Sequence, residues 1–167
     1  MKGHPKLKIV SGGQTGADRA ALDWAIKHGV PHGGWCPAGR RAEDGVISRR
    51  YKLRETKGSA YAARTAWNVR DSDGTVILSL AQGLSGGARV TRQLARKHGK
   101  PCLHLSQQRH GTKKAANLLC AFLQEHRIRT LNVAGPRASK EPKLGHFVTQ
   151  VLDKAFLRLS RCWSQLI

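Results

Sequence analysis

The chain alternates short, unbroken apolar runs with longer stretches whose apolar residues recur at helical spacing. Lys6 to Ser11 reads as a buried first strand. Ala17 to His28 reads as a helix whose only wet stripe is Arg19, Asp23 and Lys27, stopped by Gly29 and Pro31. Gly33 to Pro37 predicts a short strand running into a loop, and Ser59 to Asn68 a second helix. Thr75 to Ser79, after the turn residues Asp71 to Gly74, is the clearest strand. A basic helix from Ala88 to His98 has Val90, Leu94 and Ala95 as its apolar side. Pro101 to Leu105 predicts a strand, and Thr112 to Glu125 a helix resting on Ala115, Leu118, Leu119 and Phe122. Thr130 to Ala134 is the last strand. The terminal helix turns Phe147, Val148, Val151, Leu152, Ala155, Leu159, Cys162 and Trp163 inward. Ala38 to Lys57 is polar, rich in arginine and without periodicity, which is long for a loop and a common sign of function.

This alternation predicts an α/β fold, a three-layer Rossmann-like domain over residues 1–167 with a mostly parallel sheet and helices on both faces. Ligands of such sheets sit beyond the carboxyl ends of the strands, so the turns near residues 12, 84 and 135 should share one edge. The first turn, Ser11-Gly12-Gly13-Gln14-Thr15-Gly16-Ala17-Asp18-Arg19, runs from a strand into a helix. Glycines there let backbone approach an anion, and helix N–H groups point at it. The turn follows neither the Walker nor the GxGxxG spacing.

Each residue also has a plainer role. Gly12 and Gly13 either cradle an anion or only make the turn tight. Gln14 and Thr15 face the ligand, or Thr15 is the N-cap with Asp18 closing a capping box. Arg19 clamps an anion or pairs with Asp23. Leu84-Ser85-Gly86-Gly87 repeats the arrangement at a second strand exit, and Gly135-Pro136-Arg137 offers an arginine at a third. Asn132 either reads a ring edge or ends the ladder. Arg40, Arg41, Glu43 and Asp44 either face the ligand or form a solvated cluster, and Cys36 is a soft ligand or core filler.

Composition adds a field. The net charge is +20, from 30 Lys and Arg against 10 Asp and Glu, which draws polyanions or phosphorylated ligands. The cations are spread along the chain rather than gathered in a tail, and no stacking motif accompanies them, which disfavours nucleic acid. Cys36, Cys102, Cys120 and Cys162 lack CxxC spacing and read as separate reduced thiols. The histidines form no HExxH or finger pattern, so no metal site is expected. Met1 to Lys8 is basic without a signal-peptide core, and no window is apolar enough to span a membrane. A cytoplasmic protein is expected. No catalytic constellation can be proposed from spacing.

The segment Ser11 to Asp23 resembles the opening signature of the molybdenum carrier family, the circularly permuted YpsA-like branch of the SLOG/LOG superfamily. Further matches are Gly33 to Pro37, Gly39 to Gly45, Glu55-Thr56, Arg64-Thr65, Asn68 to Thr75, Leu84 to Gly87 and Leu131 to Arg137. The resemblance implies an oligomeric Rossmann-like protein, a dimer or tetramer, that binds and protects an anionic pterin. The expected cargo is the molybdenum cofactor, Mo-molybdopterin, delivered to molybdoenzyme recipients. Carried over, Gly12, Gly13, Gln14, Thr15 and Gly16 with Ser85, Gly86 and Gly87 are the anion loops. Asp18, Arg19, Asn132, Gly135 and Arg137 form the polar wall. The family pattern has threonine after the second glycine pair, where this chain has Ala88. A nucleotide-processing enzyme of the LOG type, an N-glycosidic phosphoribohydrolase, is the alternative. It requires a carboxylate beside the glycine loop, Asp18 or Asp73. A nucleotide sensor is a further alternative.

Overall fold

The computed structural model describes residues 7–164, with side chains as far as residue 161. The predicted strand start at Lys6, the segment before Leu7 and the inward faces of Cys162 and Trp163 lie outside the described residues.

Five parallel strands form the central sheet in the order β2-β1-β9-β7-β8. They are β1 (Lys8–Val10), β2 (His32–Gly33), β7 (Gly74–Ser79), β8 (Cys102–Ser106) and β9 (Thr130–Ala134). Two small pairs lie beside it: parallel β3 (Trp35–Cys36) with β6 (Arg54–Glu55), and the hairpin β4 (Arg41–Ala42) with β5 (Gly45–Val46). The helices are α1 (Ala17–Lys27), α2 (Tyr61–Arg70), α3 (Gly86–Lys97), α4 (Gln107–Glu125) and α5 (Leu144–Ser164).

The chain leaves β1 toward one edge of the sheet, to β2, and leaves β7 toward the other, to β8. Right-handed crossovers in opposite directions put their helices on opposite faces. Accordingly α1, α4 and α5 pack together on one side, and α2 packs with α3 on the other. The fold is therefore the predicted three-layer α/β arrangement. The main core lies under α1, α4 and α5, where Leu119, Leu131, Leu144, Phe147 and Val151 are almost inaccessible. Burial of such side chains is worth about 1.5–3 kcal/mol each. The second cluster, Leu22, Cys36, Ile47 and Tyr51, is smaller.

Several local expectations are corrected. Thr15 does not cap α1: Gly16 holds that position in a conformation open to glycine (φ 80°, ψ −128°), with no side-chain cap. Val90 is exposed, because α3 turns Ala88, Thr91 and Ala95 inward instead. Helix α4 starts five residues early at Gln107, where the Ser106 hydroxyl accepts from Arg109 N at 3.2 Å. Gly111 then breaks the helix with φ 63° and ψ 175°. The loop of residues 38–57 is organised from within by Arg40, which is buried. Its guanidinium donates to the carbonyls of Ile47 (2.9 Å), Ser48 (2.8 Å), Tyr51 (3.0 Å) and Leu53 (3.2 Å).

The strand exits touch main chain to main chain. A Cβ on Gly135 would run into the Leu78 carbonyl and lie 2.7 Å from Ala17 Cβ, and one on Gly16 would strike the Pro136 carbonyl. Gly135→Ala should therefore cost about 1–3 kcal/mol. Gly145→Ala, on α5 with only Ala20 Cβ near at 3.6 Å, should gain about 0.5–1 kcal/mol from helix propensity. Urea unfolding of both variants checks the contrast, and equal effects would contradict it.

Candidate functional site

The exits of β1, β7 and β9 lie side by side because those strands are neighbours or one strand apart, and they floor a cleft of about 580 Å³. Of the residues singled out in the sequence, Gly12, Gln14, Asp18, Ser85, Gly86, Gly87, Asn132, Gly135 and Arg137 line it. Gly13, Thr15, Gly16 and Arg19 do not. Gly13 turns toward Leu53 and Ile47 with φ 77°. Arg19 clamps the loop, donating to the Gly13 carbonyl at 3.1 Å and pairing with Asp44 rather than with Asp23. Asp23 is taken by Arg50 and the Tyr51 hydroxyl.

The two glycine turns differ in what their amides do. In the first, most donors are already occupied. Gln14 N donates to Asp18 Oδ2 (3.3 Å), Thr15 N to Gln14 Oε1 (3.0 Å), Ala17 N to the Pro136 carbonyl (3.3 Å) and Arg19 N to the Gln14 carbonyl (3.0 Å). Glu43 fastens this turn to the third exit. It takes the Thr15 hydroxyl, Ser139 N at 3.1 Å and Ser139 Oγ at 2.6 Å, and lies 3.9 Å from Arg137. These donors hold its carboxyl below the usual range. Glu43 thus belongs to the loop architecture, as does Asp44.

The second turn is open. Nothing lies within 4 Å of a Cβ built on Gly83, Gly86 or Gly87, and Ser85 precedes α3 with no side-chain cap. The residues that open α3, at the positive end of its dipole, line the cleft, and among the described residues no hydrogen bond is seen from the amides of Gly86, Gly87 or Ala88. Ala88 is buried against this opening, and Thr91 donates to the Gly87 carbonyl at 2.9 Å. The neighbouring β7 exit is satisfied by Glu141, which accepts from Leu80 N (2.6 Å) and Ala81 N (3.2 Å).

Helix α2 supplies a wall that the motif reading left out: Tyr61, Arg64, Thr65 and Asn68. Arg64 lies across Gly12 so closely that a Cβ there would sit 2.7 Å from its Cζ. Its Nη1 reaches Asp18 Oδ2 at 3.4 Å, and its buried Nε has no partner. Burial pushes the Asp18 carboxyl upward, while Arg64 and the Gln14 amide pull the other way. Asn68 holds Trp35 by two backbone hydrogen bonds, at 2.8 and 2.9 Å. Asn132, on the floor, donates to Thr75 Oγ1 at 3.2 Å. Asp73 is removed from the site: it precedes β7 at the opposite end of the strand and accepts from Arg129 N and Thr130 N. Cys36 is buried and its thiol is pushed up, as an inert core sulfur would be. Among the described residues no cluster of His, Cys, Asp and Glu is suited to a metal, and no helix is long and apolar enough to cross a membrane.

Residues 9–156 match the model of the circularly permutated YpsA SLOG family. No curated protein matches the chain. Among solved structures, it is similar to a "putative molybdenum carrier protein" from Syntrophus aciditrophicus SB. That match has a TM-score of 0.88 and 47% identity, over 90% of this chain and 96% of that one.

The raised Asp18 group makes a pH prediction. Above about pH 4, where a free aspartate titrates, the unfolded chain has lost a proton that folded Asp18 still holds. Its contribution to stability is thus fully present below that pH and is lost as pH rises through the folded value. Asp18→Asn should remove this slope. The wild-type minus variant difference in urea unfolding should fall with pH and then flatten. Parallel curves would contradict it.

Proposed function

We propose that this chain, which belongs to the circularly permutated YpsA SLOG family, binds and carries an anionic pterin, the molybdenum cofactor, in the cleft floored by its three strand exits. The supporting observation is the open N-terminus of α3, whose Gly86 and Gly87 leave room for a phosphate or oxo group against main-chain amides. The cleft's size suits a ligand of this class. Arg64, Arg137 and Lys140 on its walls add positive charge, and the unpartnered Nε of Arg64 leaves a donor for an acidic guest. Asn132, whose Nδ2 is held by Thr75, keeps its amide oxygen for the edge of the pterin ring. The family's neighbour bears a molybdenum carrier name, which supports the same cargo. Recipient molybdoenzymes, a homo-oligomeric state and a cytoplasmic setting belong to this proposal.

Nothing in this reading needs a reaction at the site. The protein's part is to hold, orient and shield. The closed first turn keeps the floor rigid, Arg64 and the α3 amides neutralise the anion, and the α2 wall limits the access of water. A nucleotide-processing reading rests on one observation, a protonatable Asp18 lining the cleft beside Arg64. Release of free base from nucleoside monophosphates would favour it over carriage.

Gly87→Asp tests the proposal without stressing the fold. An acidic residue in the first turn of α3 suits the helix dipole, yet it places a carboxylate where the anion would sit. The variant should unfold at or above the wild-type temperature and retain at least about tenfold less cofactor, a loss of about 1.4 kcal/mol in binding. Retention and protection of loaded molybdenum cofactor, read by fluorescence of the oxidised pterin, provide the measurement. Unchanged retention would overturn the reading.

A further inference from the structure

From the surface around edge strand β8 we infer that this protein carries a second anion-binding face, separate from the cleft, which docks the phosphate backbone of duplex nucleic acid. Between Asp73 and Glu125 the chain has no acidic residue, yet it carries Arg89, Arg92, Arg96, Lys97, Lys100, Arg109, Lys113 and Lys114. The fold gathers these cations instead of dispersing them. Arg89, Arg92 and Arg96 follow one another at i, i+3 and i+7 along one flank of α3, beside the buried Ala88, Thr91 and Ala95. Arg109, Lys113 and Lys114 open α4 on the other face of the sheet, and β8 joins the two as the edge strand, paired on one side only, with β7. Arg92 and Arg109 both act on His104 in the middle of β8, with Glu141 acting the other way, so the helices bring their charge to the same edge.

What sets this face apart is the missing acidic residue between Asp73 and Glu125. Other exposed cations, Lys27 and Lys154 among them, are also unpaired among the described residues, whereas several arginines elsewhere are engaged. Arg19, Arg50, Arg64, Arg70 and Arg137 each face a carboxylate, and Arg40 is buried among carbonyls. Among the described residues, none of Arg89, Arg92, Arg96, Lys97, Arg109, Lys113 or Lys114 makes an ion pair, and all are exposed. So many unpaired like charges repel one another and are relieved only by an anion that spans them.

The kind of anion follows from what the face lacks. An acidic protein partner is held by an apolar or aromatic centre, and the one large apolar side chain exposed on α3, β8 or α4 is Val90, which belongs to the cleft. A second copy of the chain would bring the same charge to the same edge. A stacked single strand needs exposed aromatics, and the one aromatic between Gly86 and Glu125, Phe122, is buried. What remains is contact with phosphates on a regular duplex, which requires charge and spacing but no base reading.

Anisotropy of a labelled 20-base-pair DNA duplex, titrated at rising KCl, tests the inference. Four phosphates neutralised predict a slope of log K against log salt of about −3.6. The double variants Arg92→Glu/Arg96→Glu and Arg109→Glu/Lys113→Glu should each lose at least about tenfold in affinity and flatten the slope by about two units. Lys27→Glu/Lys154→Glu, on α1 and α5, changes net charge equally and should lose less than about twofold. Circular dichroism and cofactor retention of the β8-edge variants should match wild type, which separates a failure here from a failure of the carrier reading. Equal losses in all three variants, binding without salt dependence, or binding to anionic vesicles or acidic protein but not to the duplex would each overturn it.

Discussion

At the carboxyl edge of the sheet, backbone presses on backbone with no side chain between. Gly135 lies against the Leu78 carbonyl, Gly16 against the Pro136 carbonyl, and Gly34 against the main chain of Ser11. A methyl group at any of them would force the strand exits apart. This closeness makes the exits of β1, β7 and β9 one continuous floor, and it draws the third exit near enough for Glu43 to tie it to the first. Everything that borders the cleft inherits its position from those contacts.

That floor has two different sides. The first glycine turn spends its amides internally and presents an arginine laid over Gly12 with a buried carboxylate beneath it. The second leaves open space around Gly83, Gly86 and Gly87. A carboxylate and an arginine buried together are costly to separate, so the first side is stiff, whereas the open end of α3 is the part that can respond to a guest. Similar turns, read alike as chemistry, differ in that one is closed on itself and the other is open.

The architecture was legible because it is written in local patterns. Strand runs such as Thr130–Ala134, the glycine stops and the alternation of elements all act over a few residues. The three turns were legible as one edge because a parallel sheet admits no other arrangement. What escaped depends on distant partners. Thr15 reads as a cap until Glu43, 28 residues later, takes its hydroxyl. Arg40 reads as one more surface cation until a loop folds four carbonyls around it. The α2 wall escaped for the same reason, since Arg64-Thr65 and Asn68 stood only as family matches and nothing local says that this helix leans over Gly12. Val90 was misplaced because α3 is so basic that its small residues, and not its larger ones, form the packed side.

A pocket floored by main chain and rimmed by one helix has an evolutionary consequence. The floor residue Gly135, and Gly16 packed behind the floor, reject any larger residue, so mutation there is removed by instability before it can alter selectivity. Tyr61 and Ala62 line the cleft while exposed, and Thr65 is half-buried, so none of the three is packed as the floor glycines are. Heritable variation in what the cleft accepts is thereby channelled into α2 and the β7–α3 turn. A lineage built on this frame can exchange its cargo by rewriting about a dozen rim residues while the rest of the fold stays fixed.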